Sequence, residues 1–364
     1  MRGIWRVLLV VVCATAGCRG DRDDGAIQIG AIVSLSGAAG EQGRNWLRGA
    51  ELAAEELAAQ GMPVRLVVED DETKPARVAA AFQKLVEIDQ VGAVMGGTWD
   101  YLAQTAYPLA QRHRVPFLTV SNPVELLTEQ GKKNPWIFTN GLSLRAEEEA
   151  MREFLRAERI RSLVLIYPNV PFGTTHADLL RRLSGELSIP ILESFEFPVE
   201  GNYLDAVRLA MLKVEAIRPD LVFAVLDYSG VDLVTGELLR LKTGARLLTT
   251  QHLDQAFLLA RTPEQYRAAY GVYPRLEDRS FEDRFRGRFG EPPRVYAANG
   301  YDGLMFLVKA LRAGVRLEDP AAHFGYDGVT GRHQLPTPDR GLVRDRAVIM
   351  TTRNGRFEAW HPTP

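Results

Sequence analysis

Two periods of apolar residues alternate along most of the chain. Short apolar runs recur at Val64–Val68, Val91–Met95, Val115–Val120, Leu163–Tyr167, Ile189–Phe197, Asp220–Leu226 and Arg246–Thr250. Between them lie longer stretches with helical spacing, such as Gln42–Ala59, where Leu47, Ala50, Ala54 and Leu57 share one stripe. Tyr203–Ile217 and Val231–Lys242 also read as helices, and another runs to Leu187. Ser143 is placed to cap a helix whose early Glu147, Glu148 and Glu149 suit its positive end. Strands that alternate with helices through both halves predict two doubly wound α/β domains. Val91–Pro123 is the clearest unit: strand, turn at Gly96-Gly97-Thr98, helix, strand, then Ser121-Asn122-Pro123. Such a βαβ crossover implies a parallel sheet, in which ligands sit beyond the carboxyl ends of the strands. The loops Gly96–Tyr101 and Ser121–Val124 are therefore the first places to look for a site.

The N-terminus follows a different pattern. Arg2 and Arg6 flank an apolar run, Val7–Val12, followed by small residues, which describes a secretory signal. The run is too short for a membrane span, which needs roughly 20 apolar residues. Thr15-Ala16-Gly17-Cys18 resembles a lipoprotein box, with Thr15 in place of the usual leucine, and makes Cys18 the candidate lipid-attachment residue. The other reading is ordinary cleavage near Ala16 with Cys18 left as a thiol. Residues 19–25 (RGDRDDG) suit a tether to a membrane.

Composition narrows the classes. The 364 residues, less a leader, fit two domains, and 46% hydrophobic with 25% charged residues is ordinary for a globular protein. A formal net charge of −2 gives no basic footprint for nucleic acid. Both cysteines, Cys13 and Cys18, lie in the leader, so the folded part relies on apolar burial instead of disulfides. No Walker, nucleophile-elbow or G-x-G-x-x-G spacing occurs, and the six histidines show no metal-binding spacing. Asp70-Asp71-Glu72 reads as a solvated strand end whose charge favours the next helix. No catalytic residue, metal or cofactor is expected, and the pattern favours binding over turnover.

The run "VMGGTWDYLAQTAYPLAQRHRVPFLTVSNP" resembles the leucine/isoleucine/valine-type (type I) periplasmic binding proteins, the solute receptors of ABC importers. "IQIGAIVSLSGAAGEQGRNWLRGAELAAEEL", "VRLVVEDDETKP", "GYDGLMFLVKALRAG" and "GVTGRHQLPTPDRG" resemble further segments of that family in the same order, covering nearly everything after Gly25. The resemblance implies two doubly wound parallel-sheet lobes joined by a three-strand hinge. Lobe 1 would comprise residues 26–140 and 273–337, and lobe 2 residues 141–272 and 338–364, with residues 1–18 as signal and 19–25 as tether. The second crossing would fall near Gly271–Arg275. The helices near Ser280–Phe289 and Arg294–Ala313 would return to the first lobe, and Arg344–Trp360 to the second.

In that family the lobes close on a ligand held by loop hydroxyls and helix starts. Asp100 falls on a hydroxyl position, with Trp99 beside it; Asp100 either lines the cleft or caps its helix, and Trp99 is either a pocket wall or packing. Ser121 matches a backbone-contact position in the loop it shares with Asn122, while Pro123 replaces a threonine. Asp227 and Tyr228 fall near a pocket tyrosine, and Gln251 where an acid holds the ligand's ammonium group. Gln42 and Phe172 match positions at the cleft mouth, or else are surface and packing residues. With the amino-acid-reading positions changed together, the expected ligand is a small polar molecule other than a simple branched-chain amino acid. Asp100 and Asp227 would accept from donors or a cation, Ser121, Gln251 and Tyr228 would orient it, and Trp99 and Phe172 would be apolar walls. The implied partners are that ligand, an ABC permease and, through Cys18, a membrane at the periplasm or cell surface. A sensory receptor of the same fold is the alternative role.

Overall fold

The computed structural model describes residues 25–121, 133–198, 202–258, 262–337, 341–353 and 355–362. The expected leader with Cys18, and Asn122, lie outside the described residues. The first sheet contains β1 (Ile27–Val33), β2 (Val64–Asp70), β3 (Ala93–Gly96), β4 (Phe117–Thr119) and β5 (Ile137–Thr139), all parallel in the order β2-β1-β3-β4-β5. Helices α1 (Gly40–Ala59), α2 (Pro75–Glu87) and α3 (Asp100–His113) make the crossovers. The predicted stripe of α1 exists because its apolar face meets the sheet: Trp46, Ala50 and Leu57 are buried with Ile29, Ala31 and Met95. On the opposite face α2 and α3 bury Phe82, Leu85, Leu102 and Ala106 against Ile32, Val94 and Phe117. Each large apolar side chain so enclosed contributes roughly 1.5–3 kcal/mol.

The chain then builds a second sheet. It contains β6 (Leu163–Pro168), β7 (Ile191–Phe197), β8 (Leu221–Ala224), β9 (Arg246–Thr249) and β10 (Ala269–Pro274), flanked by α4 (Leu144–Ala157), α5 (Pro171–Leu187), α6 (Tyr203–Ile217), α7 (Tyr228–Leu241) and the short α8 (Leu253–Leu258). Ser143 caps α4 by accepting the Ala146 N–H. After β10 come α9 (Ser280–Phe289) and α10 (Ala297–Arg312), whose Phe281, Phe285, Leu304 and Leu307 join the first lobe's core. A small antiparallel sheet of β11 (Phe324–Asp327), β12 (Gly331–Leu335) and β13 (Val343–Asp345) follows, which no periodicity announced. Finally β14 (Ala347–Arg353) and β15 (Arg356–Ala359) add antiparallel strands to the second sheet, giving β15-β14-β10-β9-β8-β6-β7.

Three passages therefore connect two α/β lobes, and they lie side by side. Thr139 bridges Gly341, Asp345 accepts from both the Ser143 N–H and its hydroxyl at 2.7 Å, and Arg346 pairs with Glu277 at 2.8 Å. Asn140 and Asn299 exchange side-chain-to-backbone bonds of 2.8 and 2.7 Å. The segment Gly271–Arg275 is mostly strand, since β10 stays in the second sheet to Pro274, and the passage follows it.

The acids at the end of β2 correct the solvated reading. Asp71 is fully buried, accepting from the Ser34 hydroxyl at 2.6 Å and the Thr73 N–H at 2.8 Å. Asp70 accepts from Leu35 N–H and the Ser36 hydroxyl. The pair fastens the loop after β1, and the N-cap of α2 is Lys74.

Candidate functional site

The loop fastened by Asp70 and Asp71 delivers the start of α1 onto the end of β1. Gly43 permits it, because a Cβ there would lie 1.8 Å from the Ser34 carbonyl oxygen. At the end of β3, Gly96 has φ +128, and a Cβ would sit 2.0 Å from the Ile32 carbonyl oxygen, so only glycine fits. Its turn aims Thr98 back at Ser34, whose N–H it accepts at 3.1 Å, and sets Trp99 at the N-cap of α3. Gln42 thereby comes within reach of Trp99. The indole N–H donates to Gln42 Oε1 at 2.6 Å.

Gln42 also touches the other lobe. Its Nε2 lies 3.0 Å from Nδ1 of His252, in the loop after β9. A second crossing contact runs from the Val295 N–H to Asp254 at 3.3 Å. The start of α1 and the loop after β9 thus meet between the lobes. Gln42, expected at the mouth, is 2% exposed and bridges the lobes.

Further groups from both lobes act on one another. Glu147 and His176 are 3% and 0% exposed, with Oε2 and Nε2 3.0 Å apart. His176 Nδ1 lies 2.7 Å from the Phe172 carbonyl oxygen, so both ring nitrogens face oxygen acceptors. Burial pushes the Asp100 carboxyl above the ordinary carboxylate range, while the N–H groups at the start of α3 and the charge of His176 pull it down. Tyr296, immediately before α10, is the third party. Burial, then the charges of Asp100 and Glu147, hold its hydroxyl well above the usual tyrosine range. Its φ of +70 places a bulky side chain in the left-handed region, a strain of order 1–3 kcal/mol of the kind that collects at functional sites.

Asp100 is the first residue of α3, its carboxyl held by N–H groups at the helix start and within electrostatic reach of His176 and Tyr296. Trp99 both packs on the first lobe's core and donates to Gln42. Ser121 is buried, 3.3 Å from the Thr119 hydroxyl. Phe172 lies on His176, with ring centroids 4.3 Å apart. Asp227 belongs to a helix start rather than a free loop. As N-cap of α7 it accepts the Gly230 N–H at 3.0 Å, and the Tyr203 hydroxyl donates to the same oxygen. It also acts on His252, whose pKa burial pushes down and Asp227 pushes up. Tyr228 packs on the second lobe's core, and Gln251 is half-buried beside His252.

Sequence reasoning missed Tyr296, Glu147, His176 and His252. Glu147 read as a helix-start acid and the histidines as scattered, because only the fold brings α4, α5, α10 and the β9 loop together. Among the described residues no group of three or more His, Cys, Asp or Glu side chains is placed to hold a metal ion, and no helix is long and apolar enough to cross a membrane.

A family model described as "Periplasmic binding protein" matches residues 26–356. Among solved structures, the branched-chain amino acid transporter substrate-binding protein of Streptococcus pneumoniae, in complex with isoleucine, is 20% identical. The match covers 93% of this chain and all of that one, with a TM-score of 0.78. An ABC-transporter solute-binding protein of Rhodopseudomonas palustris with 3,4-dihydroxybenzoic acid is 15% identical over 94% of this chain and 99% of that one, with a TM-score of 0.77. Another from R. palustris, in complex with benzoate, is 15% identical over 92% and 95%, with a TM-score of 0.75. At these identities the likeness speaks for the fold, which is the two-lobed fold described above. No curated protein matches the sequence.

Proposed function

Because this chain belongs to the periplasmic binding protein family, we propose that it is the solute receptor of an ABC importer of the branched-chain amino acid type, closing its lobes on a small, donor-bearing polar molecule. A simple branched-chain amino acid is not that molecule. One observation carries the ligand side of the reading. Asp100, Glu147 and Tyr296 come from both lobes, near enough for the two acids to act electrostatically on the Tyr296 hydroxyl, and among the described residues no lysine or arginine pairs with either acid. An amino acid's carboxylate entering there would meet Asp100 as a like charge in a poorly solvated cleft. A cation or a group rich in N–H donors would instead satisfy Asp100 and Tyr296.

Asp100 and Tyr296 are the primary acceptors in this reading, and Gln251, Ser121, Asn122 and Tyr228 are orienting groups. Trp99 and Phe172 form the walls, Asp227 serves as a helix cap acting on His252, and Gln42 holds the lobes. The receptor hands its solute to a membrane permease and is tethered through Cys18, with no chemical turnover of its own. Calorimetric titration tests the ligand claim, with leucine, isoleucine and valine against putrescine, spermidine, small amides and benzoates. Binding of a polyamine or amide with the three amino acids silent supports it. Micromolar binding of any of the three amino acids overturns it.

A further inference from the structure

We propose that Gln42 is a latch between the lobes, and that it engages only when the His252 imidazole is neutral, so that acid opens the receptor. The inference rests on the two-lobe reading above and concerns how that cleft is held shut.

The argument is one of donors and acceptors. An indole nitrogen can only donate, so the Trp99 N–H, 2.6 Å from Gln42 Oε1, fixes which end of the amide faces it. The amide's NH2 end must then point the other way, toward His252 Nδ1 at 3.0 Å. Two N–H donors cannot share that contact, so Nδ1 must offer its lone pair. A neutral imidazole protonated at Nε2 does this, whereas an imidazolium donates from both nitrogens. Reversing the amide to suit an imidazolium would set its NH2 against the indole N–H. The bridge from α1 through the β3 loop to the second lobe therefore has one arrangement, and a proton on His252 breaks it.

The surroundings set the sign. Facing His252 are Gln42 from α1 and Asp227 at the start of α7, which accepts from Gly230 and Tyr203. On its own segment, the Thr250 carbonyl takes the His252 backbone N–H at 2.9 Å. Asp254, two residues on, is engaged by Tyr273 and by Val295 from the first lobe. Near Gln42, Glu41 is paired with Arg44 at 2.9 Å and with Arg294 at 3.2 Å. In the closed form the ring is partly withdrawn from water, which disfavours its charged form, and Asp227 opposes this in part. The proton therefore binds the open form more tightly. As pH falls through the ordinary histidine range near 6.5, the closed population declines, by about tenfold for each pKa unit separating the two forms.

The test follows the purified protein, without added solute, from about pH 8 to about pH 5. Solution X-ray scattering reports lobe opening, and the indole N–H resonance of Trp99, assigned with Trp99→Phe, reports the latch itself. In the wild type the radius of gyration should rise and the Trp99 resonance should move together as His252 titrates. His252→Asn keeps an acceptor near the Nδ1 position without a proton to gain, and should abolish both responses. Gln42→Glu offers only acceptors, to the indole and to an imidazolium alike, and should reverse the direction, tightening as pH falls. A wild type without a pH response, or a response unchanged in His252→Asn, overturns the latch. Solute titrations failing while the Trp99 signature behaves as described would sink the receptor reading and leave the latch standing.

Discussion

Removing one member of the Glu147–His176 pair should weaken the second lobe far more than removing both. Glu147 is 3% exposed and His176 is completely buried, with Oε2 and Nε2 3.0 Å apart and the other ring nitrogen held by the Phe172 carbonyl. Glu147→Leu takes away the buried acceptor that the Nε2 donor faces. His176→Leu leaves a carboxylate there without a donor. Stranding one member of a buried pair typically costs about 3–5 kcal/mol, whereas replacing both with apolar groups of similar volume is close to neutral. The double variant should therefore lie at least about 2 kcal/mol above the sum of the singles. Urea unfolding followed by circular dichroism gives these values from the midpoints and slopes. The i,i+4 pair Arg145–Glu149 on the same helix, 60% and 55% exposed, is the internal control, and its removal should cost no more than about 0.5 kcal/mol. Additive singles each below about 1 kcal/mol would mean that Glu147 and His176 are solvated in solution. The proposed inner wall of the cleft would then be wrong.

Three further outcomes are expected. Tyr296→Phe keeps the packed ring and the strained backbone but removes the hydroxyl, so affinity for the co-purified or identified solute should fall about tenfold or more while the unfolding midpoint barely moves, as titration and urea melts would show. Asp71→Asn retains an acceptor for Ser34 and Thr73 and removes a buried charge. Burial raises the Asp71 carboxyl pKa, so the native state binds its proton more tightly than the unfolded chain does. That contribution is full below the unfolded pKa and is lost as pH rises through the folded one, so the advantage of Asn should grow in melting curves as pH rises above the ordinary carboxylate range. Cys18→Ser should release the mature protein from membranes and abolish fatty-acid labelling; unaltered membrane retention would refute the anchor.

Local pattern carried the architecture a long way, and it stopped where contacts became long-range. Leu163–Tyr167 and the stripe on α1 were readable because a strand buried on both faces leaves a continuous apolar run and a helix with one buried face leaves a period of 3.6. The Ser143 cap was readable because a cap is a contact within three residues. The sequence places the start of the helix after Asp227 at Val231, three residues late, for a related reason: a capping acid looks like a loop acid until its helix is seen to begin at Tyr228. Asp71 carried no mark of burial, since its partner Ser34 lies 37 positions away. Tyr296, Glu147 and His176 were illegible for the same reason, being brought to Asp100 by three different elements of a chain that crosses between lobes. The loops were predictable as places, but what fills them was not.

Electron density for the molecule that co-purifies with the protein tests the account most directly. The account predicts a small solute enclosed between the lobes, with a nitrogen donor within about 3 Å of the Asp100 carboxylate and the Tyr296 hydroxyl. A branched-chain amino acid whose carboxylate occupies that place would contradict it, as would a solute bound away from both residues.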